Sequence, residues 1–313
     1  VNVTIGVDLG GTKVQAVALA NHRVVGEARH PTPQTDAKAV VEEIIATAQE
    51  AAAAASGTVA GVGIGTPGTI TPDGHVSKAA NVPGFMHDVA LGPSVSQAFG
   101  GAPVAVDNDV RAATLGEFHR GAGRPYQDLL GVFVGTGVGG GLVLTGKLRR
   151  GRGSAGEIGH TLVKDGGRQC TCGVRGHLEA YAGRMCIEQA ARRKQGEGTS
   201  TVLFDIMKRK GRDRVTSSVI VDALEKGDEL THALIDQAVS ALGIALANVQ
   251  NTLDLEAIIV GGGLGDRLGQ PFVRRVADAM QPWLRVPEHA PVMLPTQLGD
   301  LSGAVGAAVI GGG

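Results

Sequence analysis

Apolar residues alternate at Val3, Ile5 and Val7, break at Asp8-Leu9-Gly10-Gly11-Thr12-Lys13, and resume at Val14, Ala16 and Val17. This pattern predicts a β-hairpin about a Gly-Gly turn, with a third strand near Val24. Over residues 38–55 the period lengthens, with Val41, Ile44, Ile45 and Ala48 at helical spacing among good helix formers, so a helix is expected there. Strand-like runs return at 59–64 and 103–106, and 109–120 reads as helical. Residues 130–134 and 142–144 predict a second hairpin about a glycine-rich turn at 135–141. The chain from 179 to 253 reads as mostly helical, with one apolar stripe through Leu234, Ala238, Ala241, Leu242, Ala245 and Val249. A short buried strand at 257–260 ends in Gly261-Gly262-Gly263.

Both halves therefore follow one plan, a β-meander with a glycine turn and then helices, which predicts a duplicated α/β unit with a cleft between the copies. The expected division is a small α/β lobe at 1–108, to which a segment at about 298–313 returns, and a large α/β lobe at 109–297. With 313 residues and 43% apolar content the chain is long enough for two such units. Its 29 basic and 30 acidic residues leave a formal net charge of -1, so no broad field draws nucleic acid or anionic lipid, and neither is expected as a partner. The longest uncharged stretch, 237–253, is broken by polar residues and too short for a span, so it reads as a buried helix. No basic-then-apolar leader precedes the first strand, and a cytoplasmic location is expected. Three cysteines argue against a disulfide framework.

The 49 glycines cluster at the ends of β-rich runs, where backbones turn or approach a ligand. A strand ending in Asp8-Leu9-Gly10-Gly11-Thr12-Lys13 offers a carboxylate for a metal or its waters, exposed N–H groups, a hydroxyl and a cation, as a nucleotide triphosphate requires. The plainer alternative is a hairpin turn in which Gly10 and Gly11 supply positive φ. Gly135-Thr136-Gly137 repeats the recipe and favours phosphate handling. Residues 135–140 match G-x-G-x-x-G, but a strand rather than a helix follows, which excludes a dinucleotide site. Residues 141–147 have P-loop spacing, yet Leu148 replaces the required hydroxyl.

These motifs, followed in order by Asp107-Asn108-Asp109, Glu157-Ile158-Gly159-His160 and Cys170-Thr171-Cys172-Gly173, resemble the ROK family, and within it the bacterial glucokinases. The resemblance covers nearly the whole chain. It implies a two-lobed actin-like (ribonuclease H-like) ATPase fold that closes on ATP and a hexose, with Gly261, Gly262 and Gly263 near the adenosine and a homodimer or homotetramer as the assembly. The implied reaction is ATP-dependent phosphorylation of a hexose, glucose to glucose 6-phosphate, with Mg2+ accompanying the nucleotide. Asn81, Asn108, Glu157 and Glu179 take the places of sugar-binding residues by the same resemblance.

Phosphoryl transfer to a hydroxyl needs in-line positioning, charge neutralisation and a carboxylate to accept the proton. Asp109, where a strand gives way to a helix, is the candidate base, and the helix N-terminus is expected to keep it ionised. Its bland role is a helix cap. Asp107 is the rival, since both would share a face if the strand continued, and the family resemblance decides for Asp109. His160, Cys170, Cys172 and His177 are four zinc-type ligands within eighteen positions, enough for a closed structural site. Zinc-binding relatives usually carry cysteine in place of His177, and a reduced, metal-free loop is the alternative. A bound zinc would fix the His160 ring so that its second nitrogen meets a sugar hydroxyl. Cys186 reads as a core thiol. Competing functions are a kinase for another hexose (an N-acetylated amino sugar, mannose, fructose or allose), a polyphosphate-using hexokinase, and a sugar-responsive repressor, the last disfavoured because the phosphate motif begins at Asp8 with no DNA-reading domain ahead of it.

Overall fold

The opening alternation forms β1 (Asn2–Leu9), β2 (Lys13–Ala20) and β3 (Arg23–Pro31), an antiparallel meander. The computed structural model describes residues 2–55 and 57–312. Helix α1 (Ala37–Ala53) begins at Asp36, whose carboxylate accepts from the Ala39 N–H at 2.9 Å, and it buries Val40, Ile44 and Ala48. Next come β4 (Thr58–Thr66), a ribbon of β5 (Thr69–Ile70) and β6 (Val76–Ser77), helix α2 (Leu91–Ala98) and β7 (Val104–Asn108). The first sheet has the order β3-β2-β1-β4-β7. Helix α3 (Asp109–Arg120) leaves its last strand.

The plan then repeats. Strands β8 (Leu129–Val134), β9 (Val138–Leu144) and β10 (Lys147–Arg149) form a second meander, followed by α4 (Glu179–Ala182), α5 (Arg184–Gly196), α6 (Leu203–Arg209), α7 (Ser217–Glu225) and α8 (Glu229–Leu253). The chain continues through β11 (Ala257–Gly261), α9 (Gly262–Met280), β12 (Val292–Pro295) and α10 (Ser302–Gly311). The second sheet, β10-β9-β8-β11-β12, has the connectivity of the first. Helix α8 is long and apolar enough to cross a membrane, but 67% of its apolar window is buried, with Leu234, Ala238, Leu242 and Ala245 in the second core.

The second glycine turn is shorter than the sequence pattern suggested. Gly139, Gly140 and Gly141 belong to β9, paired with Phe133, Val132 and Gly131. Their lack of side chains makes a bed for α3, because a Cβ on Gly139 would lie 2.7 Å from Val110 Cγ2 and one on Gly141 2.4 Å from Thr114 Oγ1. Helix α3 thereby starts against the second sheet while rising from the first.

Helix α10 is the counterpart of α3 in the second unit, and it covers the face of the first sheet opposite α1. Val17 and Leu19 bury against Ala304, Val305 and Ala308. The backbones nearly touch: a Cβ on Gly63 would sit 1.7 Å from the Ala307 oxygen. The two helices also cross each other closely, with Gly306 so near the Ala112 oxygen that a Cβ would stand 1.7 Å from it. Buried Glu117 of α3 secures the approach to α10, accepting from the N–H groups of Gln297 at 3.0 Å and Leu298 at 2.8 Å and from Ser302 Oγ at 2.7 Å.

Candidate active site

One cleft of about 510 Å3 lies between the two sheets. The β1–β2 turn contributes Asp8, Gly10, Gly11, Thr12 and Lys13, and the β8–β9 turn contributes Gly135, Thr136 and Gly137. Gly262 and Gly263 open α9 at its edge, and Asn81, Asp109, Glu157, His160 and Glu179 line the same space. A separate cavity of about 400 Å3 beside α8 has a mainly apolar lining and shares only Glu157 with the cleft.

Each turn is closed by a bond from its first glycine: Gly10 N–H donates to the Lys13 oxygen at 2.9 Å, and Gly135 N–H to the Gly137 oxygen at 2.9 Å. None of Gly10, Gly11, Gly135 or Gly137 has a positive φ, so turn handedness is not why glycine stands there. The N–H groups of Gly11, Thr12, Thr136 and Gly137 have no hydrogen-bond partner among the described residues. Unspent amides beside a hydroxyl and a lysine make an anion cradle.

Asn108 caps α3, its Oδ1 accepting from Val110 N–H at 3.0 Å and Arg111 N–H at 3.1 Å, while its Nδ2 donates to Asp109 Oδ1 at 3.0 Å. With the cap filled by its neighbour, Asp109 is left to face the cleft; Asn108 itself does not line it. Burial, reinforced by the nearby charge of Asp8, pushes the Asp109 carboxyl up to about 7. The expected ionising influence of the helix N-terminus is therefore overcome, since desolvation outweighs the local backbone bonds. Asp8 is likewise raised to about 6 by burial, with Lys13 opposing the shift. Asp107 is sequestered: Arg111 Nε and Arg150 Nε each donate to its carboxylate at 2.7 Å, and the residue is 4% exposed. It has no free oxygen for a substrate proton.

Glu179 joins the second turn to the cysteine loop. Its Oε2 accepts from the Val138 N–H at 3.0 Å and its Oε1 from Thr171 Oγ1 at 2.6 Å. In that loop the ligand atoms of His160, Cys170, Cys172 and His177 lie within 4.8 Å of one another. Cys172 Sγ is 3.2 Å from His177 Nδ1, and Cys170 Sγ is 3.8 Å from His160 Nδ1. Ligands on a tetrahedral zinc would be about 3.3–3.8 Å apart from its bond lengths, so the donor set fits with small adjustments, and His177 completes it. Only His160 of the four also lines the cleft; Gly261 ends β11 behind the wall formed by Gly262 and Gly263.

Arg184, Asp266, Asp300 and Ser302 also line the cleft, though no local motif distinguishes them. They arrive from the starts of α5 and α10, from α9 and from the turn before α10, so only the tertiary fold brings them together. Lys13 Nζ lies 3.7 Å from an Asp300 oxygen.

A model of the ROK family matches residues 4–311. The glucokinase of Halalkalibacterium halodurans is 33% identical, aligned over 96% of this chain and 92% of its own. An N-acetylmannosamine kinase of Vibrio cholerae is 29% identical over 89% of each. The crystal structure of a ROK family glucokinase from Streptomyces griseus, in complex with glucose and AMPPNP, superposes with a TM-score of 0.83 at 32% identity, covering 99% of both chains.

Proposed function

Because the chain belongs to the ROK family and has its two-lobed actin-like fold, we propose that it is an ATP-dependent hexose kinase whose preferred substrate is glucose. The observation that carries this reading is the convergence, in one cleft, of Asp109, two turns with unspent amides, and a group of amide, carboxylate and imidazole side chains suited to a neutral polyol. Glucokinase relatives in sequence and in structure support the choice of sugar.

In the proposed reaction a sugar hydroxyl oxygen attacks the γ-phosphorus of ATP, the bond to the β,γ-bridging oxygen breaks, and the hydroxyl proton passes to the Asp109 carboxylate. Asn108 holds that carboxylate through its amide. The amides of Gly11, Thr12, Thr136 and Gly137, with Lys13, receive the phosphates, and Gly262 and Gly263 border the adenosine. Asn81, Glu157, His160 and Glu179 hold the sugar. The nearby charge of Asp8 adds to the rise in the Asp109 pKa, which marks a place where positive charge is wanted, and Mg2+ accompanying the nucleotide would supply it. Zinc on His160, Cys170, Cys172 and His177 would serve structure, fixing the His160 ring.

Steady-state assays with glucose, N-acetylmannosamine, mannose, fructose and allose against ATP and polyphosphate, with magnesium, test the proposal. The highest kcat/KM is expected for glucose with ATP. A clear preference for N-acetylmannosamine would change the substrate, and absence of turnover with every hexose would remove the kinase reading.

A further inference from the structure

Arg184 is the first residue of α5, and its surroundings are unusual for a cation. The N–H groups of Arg184 and Met185 donate to the oxygens of Gly135 and Thr136, each at 3.1 Å, so the start of α5 is stapled to the β8–β9 turn. The guanidinium folds back along the cleft wall. Its Nη2 donates to Thr136 Oγ1 at 2.9 Å and its Nη1 to Ser217 Oγ at 3.3 Å, both neutral acceptors. Among the described residues no carboxylate comes within 4.0 Å of it. Removal from water lowers its pKa, but a guanidinium stays charged at any physiological pH. Lys13, facing the same cleft from the first sheet, already has Asp300 at 3.7 Å and Gln15 Oε1 at 2.9 Å. An unpaired, partly desolvated charge is costly unless an anion completes it.

The position of the charge selects the anion. Ser217 Oγ, which accepts from Arg184, lies beside Gly263 at the start of α9, where a Cβ would stand 3.6 Å from it, whereas a hexose has no charge to offer. The bond to Thr136 carries a second consequence. Since Oγ1 accepts from the guanidinium, the hydroxyl proton is directed elsewhere, and the acceptor that suits it is a phosphate oxygen beside the unspent Thr136 and Gly137 amides.

Resting on the kinase reading above, we propose that Arg184 is a nucleotide-binding residue that clamps a phosphate of ATP and ADP and orients the Thr136 hydroxyl as a second donor to it. The affinity of the chain for nucleotide then depends on the phosphates through this wall as well as through Lys13.

Calorimetric titration of the zinc-loaded protein with Mg-ADP, adenosine and glucose tests the clamp, using Arg184→Met, Arg184→Lys and Thr136→Val. Loss of a charge-assisted hydrogen bond should weaken ADP binding roughly 10- to 100-fold in Arg184→Met. Arg184→Lys should recover part of that loss, and Thr136→Val should weaken ADP less than Arg184→Met does. Adenosine and glucose should bind all three variants within about twofold of the parent, since neither presents a phosphate. Unchanged ADP affinity in Arg184→Met would overturn the clamp, as would equal losses for adenosine and ADP, which would make the residue a scaffold for the turn. Should Arg184→Met not fold, unchanged ADP binding by Thr136→Val decides against the proposal. A parent protein that binds no ADP would instead refute the kinase reading, a distinguishable failure.

Discussion

Asp109 stands at the first position of a helix, where backbone amides ordinarily favour a carboxylate. Burial and the charge of Asp8 reverse that preference, and the group is pushed up to about 7. A base must be ionised, so kcat/KM for the sugar should rise with pH through about 7 and level off above it, with Mg2+ lowering the midpoint. Stability should move the other way. The unfolded carboxyl ionises near the ordinary aspartate value of 3.8 and the folded one at about 7, so the folded state binds the proton more tightly; that stability is complete below 3.8 and is lost as pH rises through about 7. Asp109→Asn is accordingly expected to reduce kcat about 10²–10⁴-fold while leaving the sugar KM within about threefold. It should also melt higher than the parent at pH 8, by roughly 2–6 °C, with the difference shrinking at pH 5. Equal melting points across that range would refute the burial argument. The sequence located Asp109 by its change of period, and the family resemblance chose it over Asp107; only the fold shows Arg111 and Arg150 consuming Asp107. The ionisation state was illegible, because desolvation is set by residues far apart in sequence.

Among elements, the cysteine loop has the least regular structure, with isolated bridges at Leu162–His177 and Gln169–Arg175. A metal would supply the order that backbone pairing does not. One zinc per chain is expected by atomic emission, and Cys172→Ser should lose it, lower the melting temperature by about 5 °C or more, and raise the sugar KM more than the ATP KM. Because Glu179 bonds both Thr171 and the Val138 amide, some loss in nucleotide binding should follow as well. A chelated protein with parental melting and sugar binding would contradict a metal role. The ligand spacing made this loop readable in advance. The glycines of β9 were read as turn because a bare strand and a turn share one composition; their purpose appears only when α3 is laid across them. The α3–α10 crossing makes a sharper demand. Gly306→Val should fail to fold or lose more than about 4 kcal/mol, measured by urea unfolding, because the Ala112 oxygen occupies the space of any side chain.

For the molecule as a whole, the duplicated plan was visible in the sequence, since both meanders carry a glycine turn of similar make-up. Strand order and the union of α3 with α10 were not, because they depend on non-local pairings, from β1 with β4 to the approach of Gly306 to Ala112. The cleft takes one wall from each sheet, and the two are joined through these helices. Small-angle scattering should therefore show a smaller radius of gyration when glucose and AMPPNP are added together than with either alone; identical curves would argue for a rigid cleft. The placement of α10 also has a bearing on synthesis. At about 5–20 residues per second, the ribosome needs roughly 15–60 s to travel the roughly 300 residues from β1 to α10. Throughout that interval the trough around Val17, Gly6 and Gly63 has no cover. The earliest-made sheet of the chain is thus among the last to be sealed, and a nascent chain stalled before α10 would offer chaperones a ready apolar face.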